Sequence, residues 1–136
     1  MRTFHIFNVN SSIALLTKND SYPLFHSFLK IKNLSKNDLS LGINLYEQIA
    51  LPFDKKKMGR RIYNHYKECD FYTKFKDEHK YINKYRNENS FLKLKNSYMK
   101  IETNREYPEF FKYLRKNNNL FVCDFDNKDY FWIKDI

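Results

Sequence analysis

The sequence has very little glycine and cysteine, and these shortages exclude several classes of protein. Its two glycines in 136 residues, Gly42 and Gly59, exclude a glycine-rich loop that cradles phosphates. Its two cysteines, Cys69 and Cys123, are too few for a disulfide framework, so we expect reduced thiols in a cytoplasmic protein. No apolar run approaches the roughly 20 residues of a membrane span. The N-terminal MRTFHIFNVNSS also lacks the apolar core of a secretory signal.

Positive charge, in contrast, is abundant. Lysine and arginine number 25 against 16 acidic residues, and a net charge of +9 is typical of proteins that bind nucleic acid. Lysine outnumbers arginine 19 to 6 and asparagine occurs 16 times, so AT-rich codon usage is a second explanation of the basicity. One local concentration stands out in KKKMGRR at 55–61. Its five cations, which form either a solvated face or a grip for phosphates or an acidic protein surface, are Lys55, Lys56, Lys57, Arg60 and Arg61.

The first third of the chain predicts one strand and two helices. Residues 3–9 are rich in strand formers. A short helix over 13–17 is expected next, because Ser11 or Ser12 is able to cap its N-terminus. A second helix follows Asp20 and holds a proline in its first turn, where the missing N–H costs nothing.

Residues 38–51 give the clearest helical pattern. One stripe with the 3.6-residue period of a helix is expected to face the core and comprises Leu39, Ile43, Tyr46, Ile49 and Ala50. A second row, formed by Leu41, Leu45 and Gln48, lies on the other flank. A helix that is apolar on two sides is either sandwiched or has one side free for a partner, and the sequence leaves both open.

The remainder predicts one basic helix and a sheet. A helix capped by Asp54 is expected to bury Met58, Ile62 and Tyr66. Residues 70–89 are interpreted as an extended connection with a helical piece near 78–85. A hairpin then pairs 92–94 with 99–101, a helix begins at Thr103 or Asn104, and a last strand pair joins 120–125 to 130–133. The order β-α-α-α-β-β-α-β-β indicates a single α+β domain over 1–136, with a mainly antiparallel sheet packed with helices.

No catalytic or metal-ligating constellation is evident. Asp124, Asp126 and Asp129 surround Lys128, a combination that metal-dependent nucleases use. The same residues are typical of a tight turn in which side chains satisfy local backbone donors, and we favour that interpretation. The four histidines are scattered, without a partner at metal-ligand spacing. We therefore expect no enzyme activity, no metal and no cofactor.

The sequence resembles the sporulation inhibitor of replication family, SirA. In both, an apolar helix is followed by a strand that runs into Asp-Phe, a turn, and an aromatic-Trp-aliphatic strand. The residues that carry this resemblance are Phe110, Phe111, Leu114, Leu120, Phe121, Asp124, Phe125, Tyr130, Trp132 and Ile133. Arg2 with its aromatic strand, the short helix at 13–14, Leu24-Phe25 and YEQIALPF at 46–53 agree, whereas 67–90 shows no likeness.

The resemblance implies a specific function. SirA-like proteins are non-enzymatic cytoplasmic inhibitors of DNA replication initiation that bind domain I of the initiator DnaA during sporulation. Their contact surface is formed by the first short helix and the helix before the proline. Transferred to this chain, it comprises Ile13, Thr17, Leu45, Gln48 and Ile49. A protein partner is thus implied, without a membrane or a small-molecule substrate.

Two alternatives stay open. The family's first helix presents bulky aromatics, whereas this chain has Ile13 and Thr17 there, and aromatics are the usual hot spots of an interface. The same fold is therefore also compatible with a phage or mobile-element inhibitor of another host protein. The basic segment 55–61 is compatible with a small nucleic-acid-binding module.

Overall fold

A single antiparallel sheet of eight strands runs through the molecule. The computed structural model describes residues 1–136, with the exception of the Lys36 side chain. Along the sheet the strand order is β3-β4-β5-β6-β1-β7-β8, with β2 beside β1. The strands are β1 (Arg2–Val9), β2 (Ala50–Leu51), β3 (Tyr72–Phe75), β4 (Glu78–Asn83), β5 (Glu88–Leu94), β6 (Met99–Thr103), β7 (Leu120–Asp124) and β8 (Asp129–Trp132).

Five α-helices connect and cover these strands. They are α1 (Ser11–Thr17), α2 (Tyr22–Lys32), α3 (Leu39–Ile49), α4 (Lys55–Tyr66) and α5 (Phe110–Leu114). Short 3₁₀ turns occupy Lys36–Asp38 and Ile133–Asp135. Pro23 lies in the first turn of α2, as predicted. The α+β class, the antiparallel sheet and the order of the predicted elements are confirmed, and β2, β3 and β4 are additional strands.

The alternation of β1 explains why helices lie on both faces of the sheet. Phe4 and Ile6 point to one face, whereas Phe7 and Val9 point to the other, and all four are buried. On the first face, α4 and α5 complete a core that includes Ile62. On the second face, α1, α2 and α3 complete another core. A strand buried on both sides thus forms the centre of the fold.

The second core is built mainly from aromatic rings. Phe7 of β1 stacks on Phe28 of α2 with ring centroids 4.0 Å apart and an interplanar angle of 9°. Phe25 of α2 stacks on Phe125, which follows β7, at 5.8 Å. Offset stacking of this kind contributes about 0.5–1.5 kcal/mol beyond the burial of area. α2 is therefore firmly attached to the sheet and supports its neighbours α1 and α3.

The helical piece expected near residues 78–85 is wrong, because this stretch forms β4 between β3 and β5. Polar groups occupy its buried side. His79 is fully buried, and its Nδ1 lies 2.6 Å from the hydroxyl oxygen of Tyr72. On β5, buried Glu88 accepts a 2.6 Å hydrogen bond from Ser90. Buried polar residues conceal the alternation that identifies a strand.

The helix expected to begin at Thr103 or Asn104 begins instead at Phe110. Thr103 is the last residue of β6, and its side chain is fully buried. Its hydroxyl oxygen lies 2.7 Å from that of Ser90 on β5, which holds the backbone in the sheet. The hairpin predicted for 92–94 and 99–101 is confirmed as the β5–β6 pair.

Candidate docking surface on α1 and α3

Asn10 joins the start of α1 to the end of α3. Its Oδ1 accepts a hydrogen bond of 2.9 Å from the backbone N–H of Ile13, so Asn10 is the N-cap of α1. Its Nδ2 donates to the carbonyl of Gln48 at 2.8 Å, and its backbone N–H donates to that of Ile49 at 2.9 Å. The cap predicted at Ser11 or Ser12 is therefore wrong, since the residue before them performs this role.

The outer side of α1 is formed by two leucines. Leu15 and Leu16 are 77% and 79% exposed, whereas Ala14 is the buried residue of the helix. Ile13 and Thr17, the two residues predicted to contact a partner, are half-buried. Ile13 packs against the second core, and the Thr17 hydroxyl donates to the Ile13 carbonyl at 2.7 Å.

Most of α3 also lies outside the core. Leu39 and Ile43, which were expected in the core, are 65% and 49% exposed, so this expectation is wrong. Gly42 is the buried residue of the helix, and a Cβ at this position would lie 3.2 Å from Leu34 Cδ1. Tyr46 is half-buried, and its hydroxyl donates to the carbonyl of Ser97. α3 is consequently not sandwiched.

The flank of α3 that the sequence left unexplained is open to solvent. Gln48 is exposed and Leu41 is 51% exposed, while Leu45 and Ile49 are half-buried. Ala50 and Leu51 form β2 rather than the last turn of the helix, because they pair with Val9 and Asn8 of β1. We name as the α1–α3 surface the residues Leu15, Leu16, Leu41, Leu45, Gln48 and Leu51.

Sequence reasoning missed Leu15 and Leu16, although a signal was present. In a helix, Ile13 and Thr17 are one turn apart and Ala14 lies beside them. If that row faces the protein, the two leucines that follow Ala14 must face solvent. The resemblance directed attention to the row that is half-buried in this chain.

A pocket of about 540 Å³ lies between α2, α3 and the sheet. It is largely apolar, and its lining includes Phe7, Phe28, Ile43 and Tyr98. His5 also lines it, and burial, together with Lys32 and Lys100, lowers the pKa of His5 to about 4. The exposure of Ile43 follows from this open space, which leaves one flank of α3 without packing partners.

The basic residues of 55–61 lie on α4, as predicted, but not all are free. Lys55 forms an ion pair of 3.1 Å with Asp77. The other four predicted cations, Lys56, Lys57, Arg60 and Arg61, are exposed on the side away from the core. The structure therefore brings four of the five together on one solvent face.

The acidic residues of the last hairpin serve the fold. Asp124 is fully buried and accepts hydrogen bonds from Arg2 Nε at 3.0 Å and Asn127 Nδ2 at 2.7 Å. Burial raises its pKa, but these hydrogen bonds outweigh burial and hold the pKa below its usual value. Asp129 pairs with the same arginine at 3.1 Å. Over the part of the chain that the structure describes, no cluster of metal-ligating side chains is found.

Comparison with known proteins places the chain in a family. The fold and surface are those of an α+β protein with exposed apolar residues on two helices. The family model described as sporulation inhibitor of replication protein SirA matches residues 2–136, so the chain belongs to this family. The chain is accordingly a sporulation inhibitor of replication. No curated protein matches it. None of the helices described here has the length and apolar character that crossing a membrane requires.

Proposed function

We propose that the protein inhibits replication initiation during sporulation by binding domain I of DnaA through the α1–α3 surface. The inhibition is a binding event in the cytoplasm and requires neither catalysis nor a cofactor. Residues 1–136 act as a single domain, since β1, near residue 1, contributes to both cores and pairs with β6 and β7 from the last third of the chain.

The exposed leucines of α1 and α3 carry this proposal. A single exposed apolar residue is ordinary, but α1 exposes Leu15 and Leu16, and α3 with β2, which directly follows it, exposes Leu41 and Leu51. Asn10 joins α1 to the end of α3. Exposed apolar groups concentrated in this way are typical of protein interaction sites. The contact region inferred from the family uses the same two helices.

The leucines also compensate for the aromatics that the first helix lacks. Burying a leucine side chain contributes about 1.5–3 kcal/mol, so Leu15 and Leu16 together supply an anchor comparable to one aromatic residue. Because Ile13 and Thr17 are half-buried, they support the surface from within. We thus infer that the contact has moved from the predicted row to its neighbours.

A calorimetric titration of the purified protein against DnaA domain I measures the affinity and tests the proposal. We expect Leu16→Glu to weaken binding at least about tenfold, because a charge would be buried in an apolar contact. Gln48→Arg is expected to act in the same direction. Both side chains are exposed, so neither substitution should affect folding.

Phe75→Glu provides the matched control, since Phe75 is an exposed apolar residue at the end of edge strand β3. The affinity of the Phe75→Glu variant for DnaA domain I should stay within about twofold of the wild-type value. Failure of the wild type to bind domain I would refute the proposal and favour an inhibitor of another host protein. Equal losses in Leu16→Glu and Phe75→Glu would refute the assigned surface.

A further inference from the structure

The solvent face of α4 is strongly cationic. The 3.6-residue period places Lys56, Arg60 and Lys67 in one row, where Lys67 is the C-terminal cap of the helix. Lys57 and Arg61 form the adjacent row. All five side chains are exposed. The buried residues Gly59, Ile62 and Tyr66 occupy the opposite side. The helix is therefore split into an apolar half that the fold covers and a cationic half that it leaves open.

A second feature of these cations is their lack of ion-pair partners in the part of the chain that the structure describes. Among the residues that the structure describes, none of the five takes part in an ion pair. The nearest acids in sequence, Asp54 and Glu68, lie at the two ends of the helix, and Asp54 is occupied as its N-cap. Like charges one turn apart repel each other and weaken a helix. An external anion would relieve this repulsion.

A polar cleft of about 260 Å³ adjoins the same face. Lys57 and Arg61 line one side of it, and Asn117 and Asn118, which follow α5, line another. The Lys57 ammonium, the Arg61 guanidinium and the amide nitrogens of the asparagines are donors that suit the oxygens of a phosphate, while Asp54, which also lines the cleft, is occupied as the N-cap of α4. The cleft extends the cationic face from the helix to the turn before β7.

We propose that α4 and this cleft bind the phosphate backbone of duplex DNA without reading its sequence. The face has the composition of such an interface, which is polar and positively charged. An acidic protein partner would be expected to meet an apolar centre, but Tyr63 is the one large apolar side chain exposed on α4. A membrane surface would require the apolar side of the helix, which the fold buries.

Duplex is favoured over single strands for a related reason. Proteins that hold single-stranded nucleic acid stack successive bases on exposed aromatic rings. Tyr63 alone offers such a ring on α4, whereas Tyr66 is buried among Tyr72, Tyr81 and Phe110. The helix spans about 18 Å, which is sufficient to follow several phosphates of one strand.

Helix α4 and the α1–α3 surface lie on opposite faces of the sheet, and the cleft borders that surface at Pro52, which follows Leu51. α4 packs on the sheet face formed by Phe4 and Ile6, while α1 and α3 pack on the opposite face with Phe7 and Val9. The protein can therefore contact DNA on one side and a protein on the other. In a replication inhibitor, this arrangement would hold the protein beside the DNA on which initiation occurs.

Fluorescence anisotropy with a labelled 20-base-pair duplex of mixed sequence tests the proposal. If four cations contact phosphates, affinity should fall about 10²-fold between 50 and 200 mM salt. Lys57→Gln combined with Arg61→Gln should weaken binding at least about tenfold at 50 mM salt and reduce the salt slope by about 2. A duplex of unrelated sequence should bind equally well.

Lys84→Gln combined with Arg86→Gln is the charge-matched control, because both residues are exposed in the turn between β4 and β5. It removes the same net charge and should change affinity less than about twofold. Equal weakening by the two double variants would overturn the proposal, because net charge alone would then explain binding. Equally tight binding of poly-glutamate would overturn it in favour of an acidic protein surface. The assay contains no DnaA, so its outcome is independent of the proposed function.

Discussion

Helices α3 and α4 have nearly the same length and opposite relations to the core. α4 has 12 residues and buries Gly59, Ile62 and Tyr66, while its charged residues face solvent. α3 has 11 residues, buries Gly42, and leaves Leu39, Leu41 and Ile43 exposed. One helix thus uses its apolar residues for folding, and the other presents them to solvent.

This difference indicates where stability and recognition reside in the protein. Apolar residues of α4 lose their contact with water on folding, so they contribute directly to the free energy of unfolding. Exposed residues of α3 gain little from folding, and their replacement should be nearly neutral for stability. If this division holds, matched substitutions in α4 and α3 should differ in their effect on the free energy of unfolding.

Truncation of one isoleucine in each helix should give the largest difference in the free energy of unfolding between α4 and α3. Ile62→Ala on α4 removes a fully buried side chain and should lower the free energy of unfolding by about 2–5 kcal/mol. Ile43→Ala on α3 should lower it by less than about 0.5 kcal/mol, since the side chain faces an open pocket. Urea unfolding of both variants measures the difference. Similar losses in the two variants would mean that α3 is packed as tightly as α4.

Acid should destabilise both sides of the sheet through one histidine each, His79 on the α4 side and His5 on the α3 side. Burial, followed by Lys74, lowers the pKa of His79 from its usual 6.5 to about 4. The unfolded chain therefore binds a proton between pH 6.5 and 4 that the folded chain does not. The stabilisation is complete above pH 6.5, is lost as pH falls to 4, and amounts to about 3 kcal/mol at most.

Variants of the two histidines test the two sides separately. His79→Gln and His5→Gln should each remove a comparable part of the acid-induced loss, because the pKa is lowered to about 4 in both. The measurement is the free energy of unfolding at pH 7 and pH 4.5 for each variant. A loss as large as that of the wild type in either variant would contradict this assignment.

Replacement of the two glycines by alanine should give the smallest difference in stability between the helices. Gly59→Ala should stabilise α4 by about 0.5–1 kcal/mol, since alanine is the better helix former and the new Cβ would lie 3.5 Å from Leu94 Cδ1, an ordinary contact. In Gly42→Ala the Cβ would lie 3.2 Å from Leu34 Cδ1, so repacking offsets the gain and stability should change by less than about 0.5 kcal/mol. Thermal unfolding compares them, and a larger gain for Gly42→Ala would reverse the interpretation.

Periodicity alone was sufficient to predict α4, but not the environment of α3. In α4 the apolar residues occur on one side only, so the buried side was unambiguous. In α3 the stripe with Leu39 and Ile43 and the row with Leu41 were both apolar. Which stripe is covered depends on the position of α2, which tertiary packing of Phe28 against Phe7 determines.

The strands β3 and β4 were missed for a different physical reason. Their buried positions include His79, whose Nδ1 pairs with the Tyr72 hydroxyl, and Asn83, whose Oδ1 accepts from the backbone N–H of Tyr85. Hydrogen bonding offsets the free-energy cost of burying a polar group, and a hydropathy pattern does not show which polar side chains are paired. That α1 and α3 form a partner-binding surface stays a prediction, and on α1 the residues exposed to solvent are Leu15 and Leu16, whereas Ile13 and Thr17 are half-buried.

The position of β1 has a consequence for biosynthesis. Residues 2–9 precede two of their neighbours in the sheet by a long stretch of chain, since β6 lies at 99–103 and β7 at 120–124. Apart from its short pairing with β2, β1 must therefore wait until these two strands have been made. A chain that stops before residue 120 would have an open sheet edge, so the sheet around β1 is complete only after β7 has left the ribosome.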